Sequence, residues 1–283
     1  MTGPTWRDRL QHCSDEERPA LLAGFARDIR LHAIRTIRAA GIGHVGGDFS
    51  IADVLATVFG SVLRFDPSDP MAEGRDRFIM SKGHAAASLY SAMALSGYFP
   101  VKELATFAKA GSRLGGHPNR RKLPGIETNT GPLGHGLPVA VGIAVGAKIT
   151  HRDTRVFVAL GDGEMQEGSN WEAIMFAGHR SLPNLTIVVD KNDLQQGARV
   201  SATNTLDPLD AKFAAFGWDV SVVDGHDHVA IFDALTSHHE RPHAVIANTI
   251  KGRGVSFMED RAEWHHKVPS AEQVEAAIKE LVG

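Results

Sequence analysis

The segment from Val156 to Gln196 constrains the fold more than any other part of the chain. A β-branched run, VFVAL, ends in Gly161-Asp162-Gly163; a helical stretch follows, then a second run, LTIVVD, which ends at Asn192. Two buried strands joined by one crossover helix must lie parallel. DVSVV and HAVIANTI repeat the pattern downstream. The expected fold is therefore α/β: a doubly wound, mostly parallel sheet with helices on both faces. Gly161 and Gly163 fall at a strand's carboxyl end, where open sheets of this kind bind ligands. Glycine there lets backbone N–H groups come close to a phosphate. Asp162 would supply a carboxylate, Asn192 an amide oxygen and Leu194 a backbone carbonyl. Such a mixed oxygen set suits Mg²⁺ bridging two phosphates, and Ca²⁺ as well. The third glycine of a dinucleotide-binding fingerprint is missing, and so is the Gly-Lys-Ser/Thr of a P-loop. On its own, Gly-Asp-Gly would be no more than a turn; the flanking strands and the downstream Asn192 give it meaning.

The rest of the chain reads as a single domain, 1–283. Positions 1–20 form an N-terminal extension, and 268–283 form a terminal helix where a linker would start. Leu22, Phe25, Ile29, Ile34 and Ile37 recur at helical spacing within 21–40, up to a Gly-rich stop, GIGHVGG. Ser50 is expected to cap a helix over 51–63, and a further helix is expected over 85–96. The Gly/Pro-rich stretch 110–138 has little periodicity. A loop of that length in a compact domain is usually functional.

Composition narrows the function. The chain has 283 residues, 43% hydrophobic, with a formal charge of −3, enough apolar content for a large core. The run Arg120-Arg121-Lys122 reads as solvated loop charge, so no nucleic-acid partner is expected. The single cysteine, Cys13, rules out an internal disulfide and suits a reducing, cytoplasmic location. No signal-peptide h-region opens the sequence. The apolar stretch 137–147 is far shorter than the ~20 residues of a membrane span, so no membrane association is expected.

Six motifs in order carry a family resemblance: GHVGG at Gly43, SKGHAA at Ser81, GGHP at Gly115, PGIETNTGPLGHG at Pro124, GDGEMQEGSNWEA at Gly161 and TIKGRGVSFMEDRAEWHH at Thr249. Over roughly 25–282 the chain resembles the N-terminal, diphosphate-binding (PP-type) domain of the transketolase family. The resemblance implies thiamine diphosphate as cofactor and transfer of a two-carbon ketol unit from a ketose to an aldose. It places His44 and His265 in the substrate channel as proton-transfer groups, with His117 orienting the donor sugar. His84, Gly161 and Gly163 would meet the diphosphate. Gly131 and Leu133 would hold the aminopyrimidine through backbone groups. Glu167 would meet its counterpart across a subunit interface. Asp162, Asn192 and Leu194 keep their cation roles, and either His265 or His266 would face the site.

Val45-Gly46-Gly47 and Gly134-His135-Gly136 look like the split, two-chain branch of the family, where single-chain members read differently. The glutamate that activates the cofactor belongs to a pyrimidine-binding domain, so the resemblance implies a separate C-terminal partner chain, an α2β2 assembly, and sugar or sugar-phosphate substrates. Three alternatives remain: the α subunit of a 2-oxoacid dehydrogenase E1, a deoxyxylulose-phosphate synthase, and a non-catalytic thiamine-diphosphate-binding subunit. The other histidines, His226 and His228 among them, read as ordinary surface or core residues. The tryptophans read as packing.

Overall fold

The computed structural model describes residues 3–283. In chain order, α1 (Trp6–Gln11), α2 (Arg18–Ala40) and α3 (Val45–Thr57, continued by a π-turn over Val58–Val62) precede β1 (Arg77–Met80) and α4 (Ala86–Leu95). Then come α5 (Gly136–Ile149), β2 (Val156–Gly161), α6 (Gly168–His179) and β3 (Leu185–Lys191). A small hairpin, β4 (Leu194–Gln195) and β5 (Ala198–Arg199), leads into α7 (Val200–Thr203) and α8 (Leu209–Ala215). The chain closes with β6 (Asp219–Asp224), α9 (His228–Thr236), β7 (His243–Asn248) and α10 (Ala271–Val282).

Five strands form one sheet in the order β1-β2-β3-β7-β6, every pair parallel. Successive side chains on a strand point to opposite faces. Phe157, Ala159, Val188, Val245 and Ala247 accordingly join a core with α2, α3, α4 and α9. Val156, Val158, Leu160, Leu185, Ile187, Val189, Ala244 and Ile246 join a second core with α5, α6 and α8. Both faces are dry over β2, β3 and β7, which is why these strands read as continuous β-branched runs, whereas the edge strand β6 is partly exposed. The doubly wound expectation holds. From β3 the chain crosses by α8 to the edge strand β6, then returns by α9 on the opposite face to β7. This reversal opens a crevice at the carboxyl ends of β3 and β7.

Several local expectations change. Strand β1 is only four residues long and follows a polar turn, too short for periodicity to reveal it. Ser50 caps nothing: α3 begins five residues earlier, and the Ser50 hydroxyl lies buried within it, donating to Asp190 at 2.7 Å. The Gly46-Gly47 pair, read as a stop, lies in the first turn of α3. A Cβ at Gly46 would come within 2.8 Å of the Trp264 carbonyl oxygen, so glycine here marks a close approach between segments. Val45–Val62 is long and apolar enough by composition to cross a bilayer, yet 94% of it is buried in the fold. Within 1–20, α1 packs on the body of the domain: Trp6 stacks on Phe25, and the Arg7 guanidinium donates to the Phe59, Leu63 and Phe65 carbonyls. The tail helix starts at Ser270 with a capping box to Gln273.

Candidate active site

At the carboxyl ends of the strands lies a cavity of about 370 Å³. It is lined by all twelve residues singled out in the sequence: His44, His84, His117, Gly131, Leu133, Gly161, Asp162, Gly163, Glu167, Asn192, Leu194 and His265. The long irregular stretch after Thr106 supplies His117, Gly131 and Leu133, so its lack of periodicity reflects a cavity wall.

The oxygen donors come from the ends of β2 and β3. Asp162 follows β2; its carboxylate accepts from the Gly163 and Asp193 amides at 2.7 and 2.5 Å. Burial, reinforced by the Asp190 charge, pushes its carboxyl up to about 6. The Asn192 amide oxygen accepts from the Leu194 amide at 3.2 Å. The Leu194 carbonyl already accepts from a cation, the Lys251 ammonium, at 2.8 Å. Among the described residues, no cluster of three His, Cys, Asp or Glu side chains stands ready to hold a metal. A cation here would rely instead on one carboxylate, one amide and one carbonyl, the mix that hard ions accept. An under-neutralised buried carboxylate beside a carbonyl that attracts positive charge fits such an ion.

A positively charged floor lies behind these donors. Lys82, just past β1, donates to the Gly47 carbonyl at 3.0 Å and pairs with Asp190, both side chains almost fully buried. Asp190 also accepts from Ser50, from Thr249 and from the Asn192 amide. Burial alone would raise the Asp190 carboxyl, but Lys82 and these donors outweigh it and hold it below the usual range. Burial brings the Lys251 ammonium down to about 8, with Lys82 adding to the effect. A Cβ at Gly163 would lie 2.8 Å from the Gln195 side chain, so only glycine leaves this part of the floor open.

Four imidazoles form the opposite wall. The His44 ring lies 5.1 Å from His84, 5.6 Å from His265 and 6.4 Å from His117, centre to centre. Burial lowers all four, to about 4 at His44 and about 3 at His265, and neighbouring positive groups add to this at His44, His84 and His265. They stand neutral near pH 7 and can accept protons. His265 lines the cavity; His266 is exposed, but its ring lies 4.6 Å from that of His44, so both histidines stand at this wall. Gly131, at φ 141°, backs onto the His117 ring, 3.1 Å from where its Cβ would be. Glu167 stands at the N-cap position of α6 without a side-chain cap bond, at the cavity rim, and is exposed.

The sequence reading left out Lys82, Lys251 and Glu164, although all three lie inside motifs it quoted. The Glu164 carboxylate accepts from the Ser81 hydroxyl and from the Gly134 and Gly161 amides, joining three walls of the cavity. Their one local signal is a charged residue beside glycine in a segment without helical period. Only the fold shows that they converge.

A family model described as the transketolase thiamine diphosphate binding domain matches residues 23–283. One subunit of the apulose-4-phosphate transketolase of Actinobacillus succinogenes is 47% identical over 84% of this chain and 87% of its own length. The 6-deoxy-6-sulfo-D-fructose transketolase subunit SqwG of a Clostridium species is 39% identical over 90% of this chain and 94% of its own. The solved transketolase of Campylobacter jejuni superposes with a TM-score of 0.87 at 31% identity, over 92% of this chain but 42% of that one. The chain belongs to the transketolase family and aligns with the N-terminal, thiamine-diphosphate-binding subunit of its two-subunit members.

Proposed function

We propose that this chain is the cofactor-binding subunit of a two-chain transketolase, holding thiamine diphosphate and a divalent cation in the strand-end cavity. The observation that carries this reading is the meeting, in one cavity, of the oxygen donors of Asp162, Asn192 and Leu194 with four neutral histidines. Asp162, Asn192 and Leu194 would hold Mg²⁺, or Ca²⁺ in its place. Gly161, Gly163 and His84 would meet the diphosphate, with the Lys82 and Lys251 ammonium groups balancing its charge. Gly131 and Leu133 would hold the aminopyrimidine by backbone groups. When bound, thiamine diphosphate supplies the electron sink for breaking the C2–C3 bond of a ketose.

The chain's own part is proton handling and orientation. His44 and His265, half-buried and neutral, would take a proton from a sugar hydroxyl and return it to an acceptor. His117, on the outer wall, would orient the donor sugar. Activating the aminopyrimidine calls for one more carboxylate than these roles supply. That group is assigned to a pyrimidine-binding partner chain, with two copies of each chain assembling around paired sites. Glu167, exposed at the rim, would meet its counterpart there. The relatives' names point to phosphorylated or sulfonated ketoses as donors.

Two measurements test the reading together. Titration calorimetry of the chain with thiamine diphosphate should show binding that depends on Mg²⁺ and is lost in Asp162→Ala. Ketol transfer should appear only after a C-terminal partner chain is added. Transfer by the solitary chain would overturn the two-chain assignment, and 2-oxoacid decarboxylation by the mixture would replace it with the E1 reading.

A further inference from the structure

Three backbone amides anchor the segment that follows β7, each on a different element. Thr249 donates to the Lys191 carbonyl of β3 at 2.9 Å, and Gly252 donates to the Gly46 carbonyl of α3 at 3.0 Å. Between them, the Ile250 amide donates to a side chain, Nε2 of His226, at 2.8 Å. The next residue is Lys251, whose ammonium reaches the Leu194 carbonyl and lies 3.0 Å from Nδ1 of His265.

His226 lies outside the cavity, in the turn between β6 and α9. An amide N–H can only donate, so Nε2 must be unprotonated and the ring hydrogen must sit on Nδ1. Nδ1 lies 2.6 Å from the Asp53 carboxylate, which accepts that hydrogen. Burial would raise the Asp53 carboxyl, but Arg30 and the His226 bond outweigh it and hold it well below the usual range. Arg30 is in turn fixed by the Phe49 carbonyl. The turn itself is pressed against the same segment: a Cβ at Gly225 would collide with the Thr249 side chain.

We propose that His226 is a positioning residue. Held in one tautomer by Asp53, it anchors the Ile250 amide and so sets where Lys251 projects into the cavity. A carboxylate that orients an imidazole by its far nitrogen is a known way to fix a group one bond away from a site. The consequence for cofactor affinity rests on the thiamine-diphosphate reading; the anchoring does not.

Two isosteres separate the two ring nitrogens. His226→Asn keeps a donor near Asp53 and loses the acceptor for Ile250; His226→Gln places a carbonyl near the Nε2 position. Residue-resolved hydrogen exchange on the full chain should show Ile250 deprotected in the Asn variant and protected again in the Gln variant. Calorimetry with thiamine diphosphate and Mg²⁺ should show affinity down about tenfold in Asn and recovered in Gln, in line with other groups one bond removed from a ligand. Ile250 protection unchanged in Asn, or equal loss in both variants, overturns the proposal. Should His226→Asn not fold, ring nitrogen NMR of the unaltered chain decides, because a hydrogen found on Nε2 contradicts the anchor. If the unaltered chain binds no thiamine diphosphate while the exchange pattern holds, the cofactor reading falls and the anchor stands.

Discussion

The two ends of the sheet bury charge in opposite ways. At the amino ends of β1 and β2, Asp76 is fully enclosed and saturated: Arg64 and Arg155 pair with it, and both of their backbone amides donate to it. Burial would raise its carboxyl, but those bonds outweigh it and hold it below the usual range. At the carboxyl ends the balance is reversed for several buried carboxylates, though not for Asp190, which Lys82 holds down. Burial raises the carboxyls of Asp162, Glu164 and Asp48 and lowers the adjacent histidines. One oxygen of Asp48 has no hydrogen-bond partner among the described residues. The saturated end acts as a clamp and the strained end as a receptor. Perturbed groups gathered in a cleft mark function, whereas a paired, satisfied cluster marks structure.

The sharpest way to break this comparison is to remove one carboxylate from each end. Asp76→Asn should lower unfolding free energy by about 3 kcal/mol in a denaturant titration, because two guanidinium groups lose their buried partner. Asp162→Asn should change the same titration by less than about 1 kcal/mol. It should nevertheless weaken Mg²⁺-dependent cofactor binding at least a hundredfold, or about 2.7 kcal/mol. Equal stability losses at both ends would erase the distinction.

One carboxylate from each end, Asp76 and Asp48, should respond to pH with opposite signs. Asp76, lowered in the fold, contributes stability above its ordinary range near 4, and that stability is lost as pH falls. Asp48 is pushed up to about 7, chiefly by burial. Its contribution is present at acid pH and lost as pH rises from about 4 through about 7. Melting curves from pH 4.5 to 8 should therefore fall more steeply for the unaltered chain than for Asp48→Asn. Parallel curves would show that Asp48 does not titrate in this way. The smallest effect is expected from Arg199→Ala, which removes an exposed pair with Asp260 and should leave the midpoint of the same denaturant titration essentially unchanged. A clear downward shift of that midpoint would mean that the pair braces the β4–β5 hairpin against the cavity.

Much of the receptor end was legible because glycine, aspartate and asparagine at strand ends carry local meaning. The β-branched runs of β2, β3, β6 and β7 gave the winding of the sheet. Less was legible where the meaning is tertiary. Lys82, Glu164 and Lys251 look like any polar residue beside glycine until distant segments converge on them. Ser50 carries the chemistry of a helix cap but lies mid-helix, because Asp190 of a distant strand needs its hydroxyl. His226 resembles many ordinary histidines, and only its two neighbours, Asp53 and the Ile250 amide, distinguish it. The clamp at Asp76 was not legible at all, since its arginines stand far apart in the chain.

The anchoring of residues 249–252 also bears on what this loop tolerates. The side chain of Ile250 can vary as long as the backbone path is kept, but the length of the loop cannot. One inserted residue would put the amides of Thr249, Ile250 and Gly252 out of step with Lys191, His226 and Gly46 together. The cavity wall would then be lost while every residue that touches the ligand was still encoded. In a comparison of related chains, a gap in this loop would be a stronger sign of lost activity than any single substitution within it.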